Sequence, residues 1–225
     1  MIVAKVGGSL FDLPQLGPAL ARWAAEQPAP VLFVPGGGPF ADVIRALDRV
    51  HDLGDEAAHW LAVRTLSVTA RLLVHLLPDA ELLDNPTWGE LEQKRWEDPD
   101  RVFVLDEFEF FCRHDSVPHT WSVTSDSLAL SAALHMNADK LVLLKARDIG
   151  DVTWEQAAAR GWVDGHFPML VKRAEFPVEA VNFRTWVEAS GGGRHRVLEA
   201  GRKNRGRPPR PPPGYALPRG DIVRA

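Results

Sequence analysis

The chain has 225 residues, a formal net charge of −4, 45% apolar residues and a single cysteine. That length suits one generous domain with an ample core, and the charge gives no whole-protein attraction for nucleic acid or an acidic membrane surface. One cysteine excludes an internal disulfide framework and fits a reducing compartment, so a cytoplasmic protein is expected. Cys112 reads as a small core residue rather than a nucleophile, because no paired histidine motif accompanies it.

No basic stretch followed by an apolar one opens the chain, so no secretion signal is expected. The first run, residues 2–6 of "IVAKVGGSL", reads as a short buried strand closing on paired glycines. A helical pattern at 16–25 leads to a second strand at 31–34, which closes on the three glycines of "VPGGGPF". Helical patterns follow at 40–51 and 57–77. The long apolar stretch in the latter is interrupted by Arg64, Arg71 and His75, so it does not span a membrane. Its polar stripe of Arg64, Ser67, Arg71 and His75 reads as a solvated or subunit-facing edge.

The stretch "DNPTWGELEQKRWEDPDR" has few apolar residues and two prolines, and reads as a surface excursion. A strand at 102–105 follows, then "EFEF", with Glu107 and Glu109 on one face of a solvated edge strand. Beyond it come a helix at 125–136 capped by Thr124 or Ser125, a strand at 141–144, a helix at 154–160, and strands at 178–181 and 195–198. From Arg202 the sequence turns basic and proline-rich without periodicity, so a domain over 1–201 and a disordered tail over 202–225 are expected. Strands alternating with helices argue for an α/β fold with a mostly parallel sheet covered on both faces. In such sheets ligands bind outside the carboxyl ends of the strands, where both glycine clusters fall.

Lys5 is the informative residue of the first strand, since an ammonium on a buried strand is costly unless it meets opposite charge. The Walker pattern fails because Lys5 precedes Gly7 and Gly8, and G-x-G-x-x-G is absent. A different phosphate cradle remains, built from glycine amides, helix N-termini and a lysine. Two glycine clusters in successive turns, the second being Gly36, Gly37 and Gly38, suggest two anions side by side, as a phosphoryl donor and acceptor would be. Asp126 falls in a first helical turn, where it either stabilises the dipole or fixes the lysines. Lys145 ends another strand at the same edge, and two lysines with one aspartate suit phosphoryl transfer.

His59 shares a helical face with Ala62 and Leu66 and is either a core histidine or a ligand for the acceptor phosphate. Arg45 either chelates phosphate with its planar fork or forms a surface pair with Asp42. Trp121 is either ordinary buried aromatic surface or a stacking platform. No His, Cys and Asp cluster has protein-metal spacing, so Mg²⁺ is expected to arrive on ATP phosphates.

Four runs, "KVGGSL", "VPGGGPFAD", "VTSDSLA" and "LVLLKARD", together resemble the amino-acid kinase superfamily, which includes acetylglutamate, aspartate, uridylate and isopentenyl phosphate kinases. Within it, "DEAAHWLAV", "PHTWSVTSDSLA" and "VDGHFP" are similar to archaeal-type kinases of methanofuran synthesis, which convert an (aminomethyl)furanmethanol phosphate to its diphosphate. The resemblance implies a three-layer αβα sandwich, a homo-oligomer and transfer of the ATP γ-phosphoryl group to a small phosphorylated or carboxylate acceptor. It implies that Lys5, Gly7, Gly8 and Ser9 hold ATP phosphates and that Gly36, Gly37 and Gly38 face the acceptor. Asp126 would organise the lysines, with Lys145 and Asp148 at the start of the nucleotide pocket. The run "DIGDV" departs from the family's usual Asp-Gly, which keeps a non-catalytic nucleotide-binding subunit open as an alternative. An interaction protein working through its arginine–proline tail is the third reading.

Overall fold

The computed structural model describes residues 1–84 and 98–191. Six strands make one sheet: β1 (Ile2–Val6), β2 (Val31–Pro35), β3 (Glu81–Leu83), β4 (Val102–Leu105), β5 (Lys140–Lys145) and β6 (Val178–Asn182). Their order is β3-β4-β2-β1-β5-β6, and every adjacent pair is parallel. The helices are α1 (Leu16–Ala25), α2 (Gly38–His51), α3 (Asp55–Leu76), α4 (Glu107–His114), α5 (Ser125–His135), α6 (Trp154–Ala159), α7 (Phe167–Leu170) and α8 (Phe183–Gly191).

Alternation within each strand sorts the core into two layers. Val3, Leu32, Val34, Leu141 and Leu143 face the layer that holds α5, whereas Ile2, Ala4, Val31, Phe33 and Val142 face α1 and α8. Both faces of the sheet are therefore covered, as parallel strands require. Lys5 shares the parity of Val3, and so it points toward α5 rather than to solvent.

The turns after β1 and β2 pack against each other. The Gly7 amide donates to Leu144 O at 2.9 Å, and the Gly36 amide donates to Val6 O at 2.8 Å. A Cβ on Gly8 would lie 2.4 Å from Gly38 N, and Gly38 itself has a φ of +52°. Glycine is thus required at Gly8 by contact between the turns and at Gly38 by backbone conformation.

Two sequence expectations are corrected. "EFEF" is not an edge strand but the first turn of α4, where Glu107 and Glu109 meet the helix N-terminus while Arg113 and His114 occupy its last turn. Glu107 is fully buried, not solvated. Cys112 is exposed rather than part of the core, since the buried face of α4 is taken by Phe110 and Phe111. The true edge strand on that side is β3, only three residues long. The expected strand at 195–198, the tail at 202–225 and most of the excursion after Asp84 lie outside the described residues.

The helix pair α2 and α3 leaves an apolar face open. Phe40, Val43, Leu47 and Val50 recur at helical spacing along α2, and Leu61, Val68 and Leu72 continue the exposed apolar surface on α3. Among the described residues no helix is long and apolar enough to cross a membrane.

The contact between the turns makes a stability prediction. Gly8→Ala must push the β1 turn off the β2 turn, and is expected to cost about 1–3 kcal/mol in urea unfolding; an unchanged midpoint would show that the turns yield freely.

Candidate active site

Asp126, in the first turn of α5, takes one lysine on each carboxylate oxygen. Lys5 Nζ forms an ion pair with Oδ1 at 2.8 Å, and Lys145 Nζ donates to Oδ2 at 2.6 Å. All three side chains are buried, at 5%, 4% and 9% exposure for Lys5, Asp126 and Lys145. Burial pushes the Asp126 carboxyl upward, but the charges of Lys5 and Lys145 prevail and hold it below the ordinary carboxylate value. Burial, assisted by the charge of Lys5, pulls Lys145 down to about 8 against the attraction of Asp126. Each ammonium carries three N–H groups, so both keep donors beyond those directed at Asp126.

The helix that carries Asp126 is tied down by a carboxylate from elsewhere in the chain. Thr124 sits at the N-cap of α5, but its side chain does not cap the helix. Instead Asp164 accepts from the amides of Thr124 and Ser127, both at 2.9 Å, and from their hydroxyls at 3.0 and 2.6 Å. It also accepts from the amides of His166 and Phe167. The expectation that Thr124 or Ser125 caps the helix is replaced by a cap delivered from the "VDGHFP" run. Sequence reasoning missed Asp164 as a site residue; its signal was an aspartate before glycine within that run, 38 residues from Asp126 in sequence.

Two cavities open side by side at the carboxyl edge. One, of about 290 Å³, is lined by Lys5, Gly7, Asp126, Lys145 and Arg147 among others. Its neighbour, of about 410 Å³, is lined by Gly37, Gly38, Arg45, His59 and Trp121 over an apolar floor that includes Val63, Leu66 and Leu128. They share Gly8, Ser9, Thr124 and Gly161, so they meet at the β1 turn and the start of α5. The N-termini of α2 and α5 both reach the larger cavity, at Gly38 and Ser125, and add partial positive charge there.

His59 is buried in the wall of the larger cavity with Nε2 lacking any hydrogen-bond partner. Burial, then the charge of His119, lowers its pKa. Arg45 pairs with Asp42 at 2.7 Å and lies over the Trp121 ring at 4.6 Å, while Trp121 Nε1 donates to Asp48 at 2.7 Å. Gly36 is buried beneath the junction of the turns and lines neither cavity. Asp148 is exposed and is not brought to the lysine cavity, where Ala146 and Arg147 follow Lys145 instead. The other expected residues, from Lys5 to His59, line one cavity or the other.

The model of the amino acid kinase family matches residues 1–152. The chain belongs to the amino acid kinase family. It is 25% identical to the [5-(aminomethyl)furan-3-yl]methyl phosphate kinase of Methanocaldococcus jannaschii, over 82% of this chain and 88% of that protein. Its fold matches the uridylate kinase of Archaeoglobus fulgidus with a TM-score of 0.56 at 16% identity, covering 85% of this chain and 95% of the other. The UMP kinase of Ureaplasma parvum matches with a TM-score of 0.55 at 12% identity, over 80% and 88%. The parallel sheet between helical layers agrees with those two folds, and the family match together with the furanmethyl phosphate kinase relative supports a phosphotransferase.

The lowered Lys145 sets a pH dependence. An anion in the smaller cavity needs Lys145 charged, so ADP affinity is expected to fall about fivefold between pH 8 and pH 9 as the ammonium deprotonates. Calorimetry checks this, and Lys145→Arg, whose guanidinium stays charged, removes the decline; a pH-independent wild-type affinity would contradict the assignment.

Proposed function

We propose that this protein is an ATP-dependent kinase that transfers the γ-phosphoryl group to a small phosphorylated acceptor. The observation that carries the reading is the meeting of two cavities at Gly8 and Ser9, with a lysine pair behind one and His59 and Arg45 in the other. A donor in the smaller cavity and an acceptor in the larger would face each other across the β1 turn. The relative's furanmethyl phosphate makes an (aminomethyl)furanmethanol phosphate the favoured acceptor, and the ring of Trp121 beside Arg45 suits a flat, anionic molecule.

ATP supplies the phosphoryl group, which leaves ADP when an acceptor phosphate oxygen forms the new P–O bond. The work of the chain is positioning and charge. Lys5 and Lys145 neutralise the oxygens of the moving group, and Asp126 keeps both ammoniums aimed at it. His59 Nε2, in its protonated tautomer, and the Arg45 fork hold the acceptor phosphate. Asp126 is occupied by both lysines and, among the described residues, no group of three or more His, Cys, Asp or Glu side chains has metal-binding geometry. Mg²⁺ would arrive on the ATP phosphates, its usual oxygen ligands in such sites.

The kinase domain is taken to span 1–201 in the cytoplasm, followed by the basic, proline-rich tail. A homo-oligomer is proposed as well, with the open apolar face of α2 and α3 as the surface that suits it. Light scattering is expected to give at least twice the chain mass of 24.9 kDa; a monomer at all concentrations would refute the oligomer.

The activity is tested by following ADP release with furan, isopentenyl, nucleoside and acyl phosphates as acceptors. Lys5→Ala is expected to lower kcat by ~10²–10³-fold with folding intact, and His59→Ala to raise KM for the acceptor but not for ATP. ATP binding without acceptor-dependent ADP would leave only a nucleotide-binding subunit.

A further inference from the structure

His119 lies in the segment between α4 and α5, and both of its ring nitrogens are engaged. Nδ1 meets Glu56 Oε2 at 2.5 Å and Nε2 meets Asp115 Oδ2 at 2.8 Å. A neutral imidazole has one donor nitrogen and one acceptor, so two carboxylates can both be satisfied only by the doubly protonated ring. Glu56 is held in turn by Trp60 Nε1 at 3.0 Å. The result is a ring fixed in its own plane from both ends.

That plane lies flat on His59. The two imidazoles stack with centroids 4.4 Å apart and an interplanar angle of 16°. Trp60 meets both rings edge-on, at 5.5 Å from His59 and 5.2 Å from His119. His59 is therefore confined by aromatic contacts, while its Nε2 is buried in the cavity wall without a partner. An unpartnered buried polar atom is costly unless something arrives to satisfy it.

The geometry points to His119 as a positioning residue, which holds the His59 ring flat and so fixes where Nε2 stands in the wall of the acceptor cavity. This rests on the proposed function for the identity of the acceptor, but not for the positioning itself. A charged ring against His59 also favours the neutral form of His59, which can offer a single N–H to an anion without a full second charge. Arg45 and the helix N-termini already supply positive charge in that cavity, so orientation rather than charge is what His119 adds.

The test compares His119→Phe, which keeps a flat ring over His59, with His119→Leu, which removes it at similar apolar character. In the full-length protein labelled with ¹³C-histidine, ring relaxation of His59 is followed without ligand and during titration with inorganic phosphate. The wild type and the Phe variant are expected to keep an ordered His59 ring; in the Leu variant the ring becomes mobile and phosphate affinity falls by up to about tenfold, the scale of one stacked aromatic pair. In the coupled assay the Leu variant raises KM for the acceptor and leaves KM for ATP unchanged. An ordered His59 with unchanged phosphate affinity in the Leu variant overturns the proposal, and so does an equal loss in both variants, which would assign the effect to charge. Absence of acceptor-dependent ADP formation in the wild type would defeat the kinase reading alone, because the ligand-free relaxation still reports whether His119 orders His59.

Discussion

The site depends on one carboxylate shared between two buried ammoniums. Asp126 cancels one of the two positive charges of Lys5 and Lys145, which leaves a net positive charge in a place with little water. Buried charge without a counter-ion is unfavourable, so the triad is most stable when an anion enters the cavity beside it. Burial weighs against Glu107 as the counter-ion. It is fully buried with both oxygens unpartnered, and burial holds its carboxyl well above the ordinary range against the pull of Lys5 and with the added push of Asp106. Burial thus disfavours the Glu107 anion as a counter-ion, and the positive charge is left for a phosphate.

Topology explains why the lysines come together. From β1 the chain moves to β2 on one side, whereas β5 lies on the other side and leads on to β6. Such a reversal opens a crevice between the carboxyl ends of β1 and β5. Lys5 and Lys145 stand on its two walls, and α5 places Asp126 between them. Asp164 then fixes the start of α5 with four hydrogen bonds from the amides and hydroxyls of Thr124 and Ser127, and accepts two more from the amides of His166 and Phe167. The crevice is rigid where charge must be placed, and the neighbouring cavity is shaped by α2, α3 and the segment bearing His119 and Trp121.

Much of this could be read from residue order. Four of the strands are short runs, largely apolar, that end on or just before a lysine, a glycine or an asparagine, and buried parallel strands write themselves that way. Lys5 stood out because a charge on such a strand needs a reason, and the answer, Asp126, sat in a helical first turn. What stayed hidden was contact between distant segments. "EFEF" alternates like a strand, but its carboxylates favour a helix N-terminus, and only burial against α3 and the sheet decides between them. The roles of Asp164 and His119 were not legible, since the partners that define them, Ser127 and Glu56, lie 37 and 63 residues away. Glycine presents the same limit: the clusters suggested room for a ligand, whereas Gly8 is small because the next turn touches it.

The most direct measurement is a crystal structure with a non-hydrolysable ATP analogue and Mg²⁺. The account predicts the terminal phosphate at the junction of the two cavities, over Gly8, in contact with Lys5 and Lys145 and open toward His59. A triphosphate bound elsewhere, or one whose terminal phosphate lies away from both lysines, would contradict it.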